Sequence, residues 1–260
     1  MKIITWNINS IRARLQLLER LDDEVGADVV CLQETKVVDE LFPHDALSDL
    51  YPHRHMRGMK GYNGVAILSK VPFTAKGGND WCGREDTRHI SVKIAGGVEI
   101  HNFYVPAGGD EPDPKKNDKF AHKLAFLNEV TDWFQKIATP RAKRIMVGDL
   151  NIAPLESDVW SHKQLLKVVS HTPVEIEHLD RLQAAHDWVD AVRHFAPEPE
   201  KRYSWWSYRA NARANNKGWR LDYNMVSEPL KNAISRAVIL PEAKHSDHCP
   251  ALLELDYNGL

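Results

Sequence analysis

The octapeptide Arg144-Ile145-Met146-Val147-Gly148-Asp149-Leu150-Asn151 limits the possible folds more sharply than any other stretch. Ile145, Met146 and Val147 form an unbroken apolar run, the pattern of a strand whose two faces are both covered, whereas a strand with one wet face alternates. Gly148 allows a close backbone approach or a turn. In extended chain Asp149 and Asn151 lie two apart and leave the same face. A carboxylate and an amide then stand at the C-terminal mouth of a buried strand, or they merely cap a turn. The same grammar recurs. Apolar runs are closed or flanked by Asn7, Glu34, Tyr104, Asp222 and the pair Asp247-His248.

The elements between these runs suggest layered α/β architecture. Lys2 to Ile8 reads as a strand. Ser10 is placed to cap a helix whose face is Ile11, Leu15, Leu18, Leu21 and Val25, and Gly26 ends it. Asp28 to Glu34 is a second strand, so strand, helix and strand follow within a short span, an α/β opening. His53 to Asn63 reads as a polar loop and Gly64 to Ser69 as a strand. Ile90–Ile94 and Val98–Tyr104 read as a hairpin about Gly96-Gly97. Phe120 to Ile137 has helical spacing, and a further helix is expected from about Leu179 to Phe195. Trp219 to Val226, Ile234 to Leu240 and Ala251 to Leu255 read as strands. With no linker, repeat or composition break, residues 1–260 are expected to form one α/β domain.

If the strand mouths converge, they enclose four carboxylates, two amides, a phenol and an imidazole. So many acids cannot all stay ionised together without a cation or long separations. The set is rich in oxygen and free of cysteine, which suits Mg2+, with Mn2+ as a substitute, better than Zn2+. A hard cation beside a carboxylate that activates water is what phosphodiester hydrolysis requires. Each residue also has a plainer reading. Asn7 could satisfy a strand end, Glu34 could pair with Lys36, and Tyr104 could be a core tyrosine. Asp222, inside an apolar pattern, needs a partner, and His248 could be held by it in one tautomer.

From Lys201 to Arg220 the chain has no acid, and Trp205, Trp206, Tyr208 and Trp219 alternate with Arg209, Arg213, Lys217 and Arg220. Cations neutralise phosphates and aromatic rings stack on bases or line an apolar pocket, so this stretch favours a nucleic acid over a merely solvated face. The net charge of −2 means that any such attraction is local.

On these residues the chain resembles the exonuclease III family of apurinic/apyrimidinic endonucleases, nearly end to end. The motifs are Trp6-Asn7-Ile8-Asn9 with Arg12-Ala13, Leu32-Gln33-Glu34-Thr35-Lys36, Tyr104-Val105-Pro106, Gly148-Asp149-Leu150-Asn151, Trp219-Arg220-Leu221-Asp222-Tyr223 and Ser246-Asp247-His248-Cys249-Pro250. The resemblance implies a four-layered α/β sandwich, two packed mixed sheets flanked by helices. It implies Mg2+-dependent cleavage of duplex DNA 5′ to abasic sites, with trimming of blocked 3′ ends and 3′→5′ exonuclease action in base excision repair. It implies Glu34 as principal metal ligand with Asn7, Asp247, Asp149 and Asn151 around the metal. Asp149 would be the base and Asn151 would position water. His248, oriented by Asp222, would bind the scissile phosphate, and Tyr104 would sit by the phosphate or the leaving oxygen. Trp205, Trp219 and Leu221 would form the pocket for the extruded sugar, with Arg209, Arg213 and Lys217 as DNA contacts. A monomer is the family default. Ala107 departs from the family's usual amide after the Tyr-Val-Pro motif, and Trp81 to Arg88 matches none of the family's patterns.

Three scattered cysteines, Cys31, Cys82 and Cys249, suit a reducing cytoplasm. No apolar stretch is long enough to span a bilayer and no signal peptide is expected. Lipid and inositide phosphodiesterases share the acid-imidazole machinery. They have no need of tryptophans interleaved with arginines. A member that had lost catalysis should lack one of Glu34, Asp149, Asn151, Asp222 or His248, and all are present.

Overall fold

A computed structural model describes residues 1–240 and 246–257. In chain order the strands and helices are β1 (Lys2–Asn7), α1 (Ile11–Val25), β2 (Val29–Gln33), α2 (His44–Leu47), β3 (His53–Arg57), β4 (Val65–Ser69), β5 (Phe73–Gly77), β6 (His89–Ile94), β7 (Glu99–Tyr104), α3 (Asp118–Ile137) and β8 (Arg144–Asp149). There follow α4 (His162–Leu165), α5 (Pro173–Ala184), β9 (Val189–Asp190), α6 (Ala191–Phe195), β10 (Asp222–Val226), β11 (Ile234–Ile239) and β12 (Ala251–Leu255). They build two six-stranded mixed sheets, ordered β11-β12-β1-β2-β4-β3 and β5-β6-β7-β8-β10-β9. In the first sheet β1 and β2 run parallel, and in the second β7 and β8 do.

The continuous apolar runs are explained by what lies on each side. Ile3, Val29, Cys31, Ile67, Val92, Ile100, Ile145 and Val147 meet between the sheets in one shared core. The alternate residues face helices. Ile4, Trp6, Val30 and Leu32 pack under Leu18 and Leu21 of α1. Phe103, Met146, Tyr223 and Met225 pack under Phe126, Val130 and Leu179 of α3 and α5. The layers are therefore helix, sheet, sheet, helix, the four-layered sandwich the resemblance implied. Gly148 serves close approach, since a Cβ at its φ of 138° would lie 1.9 Å from the Phe103 carbonyl oxygen.

Several local expectations fail. Ser10 precedes α1 but its side chain makes no cap bond, its own φ being 87°. The expected polar loop at His53–Asn63 begins with edge strand β3, and edge strand β5 was not foreseen. The expected helix from Leu179 to Phe195 is two helices. The chain leaves α5 at Ala184, Asp187 adopts a left-handed φ of 50°, and β9 pairs with Met225 and Val226 before α6 begins. Sheet pairing there overrides helical spacing. The start of α5 lies earlier, at the capping box of Thr172 and Glu175. Trp219 to Leu221 falls outside β10, with Trp219 held by isolated bridges to Val159 and Trp205.

Candidate active site

Register brings the expected residues to one end of the sandwich. Asn7 stands opposite Gln33, next to Glu34, while Tyr104 and Asp222 both stand opposite Asp149. The loop before β12 is pinned over these ends. Trp6 donates Nε1–H to the His248 carbonyl at 3.2 Å and Ser246 donates its hydroxyl to the Asn7 carbonyl at 3.0 Å. Between them opens a cleft of about 360 Å³, whose lining includes Glu34, Tyr104, Asp149, Asn151, Asp247 and His248. Asn7 and Asp222 are fully buried behind it.

The carboxylates are held by a chain of hydrogen bonds. Asn7 donates Nδ2 to Glu34 Oε1 and to Asp149 Oδ2, both at 2.9 Å. The Tyr104 hydroxyl donates to the same Glu34 oxygen at 2.9 Å. Lys36 donates to Glu34 Oε2 at 2.8 Å and to Asn9 Oδ1 at 2.6 Å, so the ion pair weighed from sequence exists inside the site. Asn9 Nδ2 and Trp205 Nε1 then donate to the two oxygens of Asp247, at 3.1 and 3.2 Å. Burial opposes ionisation of Glu34, but Asn7 and Lys36 outweigh it and lower its pKa. Burial is likewise outweighed at Asp247, by the His248 charge and the bonds from Trp205 and Asn9.

His248 donates Nδ1–H to Asp222 Oδ2 at 2.8 Å, which turns Nε2 toward Asp149 Oδ2, 3.7 Å away. Burial by itself would lower the pKa of His248, yet the Asp222 and Asp149 charges push it up to about 10. Asp149 is raised to about 7, first by burial and then by the Asp222 charge, against the pull of His248 and Asn7. Ligand-type atoms of Asp149, Asp222 and His248 lie within 4.8 Å of one another. That trio is better described as an acid-imidazole relay than as a metal cage, because Asp222 is spent on the ring and never reaches the cleft. The oxygen-bearing residues that line the cleft include Glu34, Asp149, Asn151 and Asp247, together with Tyr104, Ser170 and Asp110, the last not among the sequence candidates. Such a donor set fits a hard divalent cation, and the raised pKa of Asp149 marks negative charge that a cation would balance.

Beside His248 the wall turns apolar. Trp205 bridges to both Trp219 and His248, and the Trp205 and Trp219 rings meet edge to face at 6.3 Å. With Leu221 they line the cleft, together with Val168 and Val169, which carry no motif and were not anticipated. The basic residues do not share this position. Arg209 and Lys217 are exposed, Lys217 lying over the Trp160 ring, while Arg213 stacks on Trp206. They sit on the segment leading to the cleft, outside its lining. Arg220 leaves the nucleic-acid reading altogether. It is buried and bound to Asp158 and Asp190 at 2.6 Å each.

Two further expectations change. Asp149 and Asn151 do not share a face in extended chain, because Asn151 has a φ of 52° and folds back. Its backbone N–H donates to Asp149 Oδ1 at 3.0 Å and its Nδ2 to the Val105 carbonyl at 2.9 Å. The unassigned segment Trp81 to Arg88 turns out to support Tyr104. The Arg88 guanidinium lies 4.9 Å from the Tyr104 ring centre, and Asp86 pairs with both Arg88 and His122. Only the packing of β6 beside β7 reveals that role.

Residues 4–248 match the Endonuclease/Exonuclease/phosphatase family. An exodeoxyribonuclease of Bacillus subtilis is 33% identical over 259 residues, covering 97% of this chain and 98% of its own length. Exodeoxyribonuclease III of Haemophilus influenzae is 29% identical over 269 residues, 98% of this chain and 99% of its own. An AP endonuclease from Archaeoglobus fulgidus superposes with a TM-score of 0.91 at 30% identity, over 99% of this chain and 100% of that one. A Neisseria 3′ phosphatase bound to a product DNA hairpin gives the same TM-score at 27% identity and the same coverage.

Proposed function

Because the chain belongs to the Endonuclease/Exonuclease/phosphatase family, we propose that it is a DNA repair nuclease of the exonuclease III type. It hydrolyses the phosphodiester 5′ to an abasic site in duplex DNA, leaving a 3′-hydroxyl, and trims 3′ ends. The observation that carries this reading is the line Asp222–His248–Asp149 running beside Glu34 and under the Trp205, Trp219 and Leu221 wall. A baseless sugar has little stacking to lose on extrusion, and an apolar pocket next to a phosphate-binding site suits it.

Glu34 would be the principal holder of a divalent cation, Mg2+ or Mn2+, with Asp247, Asp149, Asn151 and Asn7 around it, Asn7 also orienting Glu34 through its Nδ2 bond. When bound, the cation supplies positive charge at the phosphate and at the departing 3′-oxygen. The protein does the rest. Asp149 takes a proton from the attacking water at Oδ2, the oxygen that the Asn7 amide fixes and that faces His248. Asn151, fixed by its left-handed turn, aligns that water. His248, charged and locked by Asp222, donates Nε2–H to a non-bridging phosphate oxygen as negative charge grows there. Tyr104 steadies Glu34 and faces the phosphate. Arg209, Arg213 and Lys217 meet flanking phosphates, and their contribution should weaken with salt. We take the protein to act as a monomeric, single catalytic domain in a reducing cytoplasm, a setting in keeping with its free cysteines.

The test is a set of initial rates on abasic duplex, intact duplex, sphingomyelin and an inositol phosphate, with Mg2+ or with EDTA. The proposal expects Mg2+-dependent cutting that is far faster on abasic duplex than on any other substrate. Equal rates on abasic and intact duplex, or turnover of the lipid, would remove it.

A further inference from the structure

Three segments lining the cleft are tied to one buried ion pair that takes no part in the chemistry above. Lys123 on α3 and Glu175, the third residue of α5, are both fully buried, with Nζ 2.5 Å from Oε1. The same ammonium donates to the Asn151 carbonyl at 2.7 Å, the Ala107 carbonyl at 3.3 Å and the Ser170 hydroxyl at 3.4 Å. Glu175 in turn accepts the Ser170 N–H on its two oxygens, at 2.9 and 2.8 Å. It also accepts the Thr172 N–H at 3.2 Å and the Thr172 hydroxyl at 2.6 Å.

Ala107, Asn151 and Ser170 all line the cleft. They come from different connections, those after β7, after β8 and before α5. Cohesion between α3 and α5 does not need such a pair. Apolar residues of similar volume pack helices at no desolvation cost, and buried ion pairs are often no more stable than such replacements. What the pair adds is direction, because an ammonium fixes the positions of the oxygens it bonds. The packing leaves little slack. A Cβ at Gly108, whose φ is 92°, would come within 3.0 Å of both Lys123 Cδ and Val169 Cγ1.

The geometry points to Lys123 and Glu175 as positioning residues that set the width of the cleft between the Ala107 and Ser170 walls and the Asn151 floor. They thereby set the preference for an extruded abasic sugar over a nucleotide that still carries its base. This rests on the abasic-nuclease reading. Loss of the pair lets the walls part, so the abasic sugar is held less well for attack. A frayed 3′ end, which needs no narrow pocket, is affected less.

The test is the double variant Lys123→Met/Glu175→Gln, which removes both charges at nearly constant volume and keeps a neutral acceptor at the α5 cap. Folding is followed by circular dichroism and thermal unfolding. kcat and KM are measured side by side on a duplex with one tetrahydrofuran abasic analogue and on an intact duplex with a recessed 3′ end. The expected result is a folded variant whose kcat/KM falls about tenfold further on the abasic duplex than on the intact end, as an ångström-scale misplacement of reacting groups would cause. A purely structural role lowers both substrates together and leaves their ratio alone, and that outcome overturns the proposal, as does an unchanged variant. If the double variant does not fold, Glu175→Gln alone is expected to move the ratio in the same direction, and a fixed ratio there is equally fatal. The wild-type ratio separates the two readings. A wild type without abasic preference removes the abasic assignment itself, whereas a strong preference that survives in the variant removes only the role of the pair.

Discussion

At the scale of single residues, the proposed chemistry turns on Asp149. It contacts Asn7 and faces His248, and its pKa is raised to about 7. Asp149→Asn keeps the shape but removes the base, so kcat on abasic duplex should fall about 10²–10⁴-fold while the Kd measured in EDTA stays close to wild type. Near-normal turnover would take Asp149 out of the mechanism. Asp222→Asn tests the neighbouring link. With Asp222 present, His248 holds its proton up to about pH 10; without that charge only Asp149 and Asp247 oppose burial, and the ring loses its proton at lower pH. The alkaline limb of the kcat profile should therefore move down by more than a pH unit, and activity should recover in part toward acid. An unmoved limb would mean that Asp222 does not set the charge of His248. These acids and the imidazole were legible in the sequence because polar residues at the ends of buried runs have few uses other than chemistry. Arg88 under Tyr104 was not legible, and neither was Lys123. In a helical pattern a lysine looks solvated until a second helix closes over it. The left-handed backbones of Glu34 and Asn151 also carried no sequence signal.

At the scale of elements, the central strands were readable and the edges were not. β3 and β5 end their sheets without a fully buried residue, β3 being mostly polar and β5 a short, largely exposed Phe-Thr-Ala-Lys-Gly, so neither shows the buried apolar run that marks the central strands. The helix expected to Phe195 broke at a pairing with β10 that only the tertiary structure supplies. β6 and β7 carry a less visible feature, the stacked and fully buried rings of His89 and His101. The Asn79 N–H donates to His89 Nδ1 at 3.1 Å, so His89 carries its proton on Nε2, 3.2 Å from His101 Nδ1. Burial lowers the pKa of His89 to about 3, and burial and the His89 charge lower that of His101 well below its ordinary value of 6.5. In the unfolded chain both rings accept protons below about pH 6.5, while the native pair refuses them. Stability should therefore be complete above pH 6.5 and fall as pH drops toward 3, at about 1.4 kcal/mol per pH unit for each ring. Urea unfolding between pH 7 and 5 measures this slope, and His101→Phe should remove about half of the share due to the pair. The same slope in the variant would exclude these histidines as its source.

At the scale of the whole molecule, the two sheets converge their parallel pairs, β1–β2 and β7–β8, on one end. The motifs scattered from Asn7 to His248 meet there. The sequence order of the motifs carried the family, and the family carried the four layers. The size of the cleft, its apolar wall at Val168 and Val169, and the inward turn of Arg220 came only from packing. Under the function proposed above, this end of the molecule hydrolyses a phosphodiester 5′ to a lesion rather than eliminating at the sugar. The most direct measurement is cleavage of a duplex carrying one tetrahydrofuran analogue in heavy-oxygen water with Mg2+, with both products weighed by mass spectrometry. Hydrolysis by attack on phosphorus gives an upstream strand ending in an unlabelled 3′-hydroxyl and a downstream strand whose 5′-phosphate has gained one heavy oxygen. An uncut strand, or label on the upstream 3′ end, would contradict it.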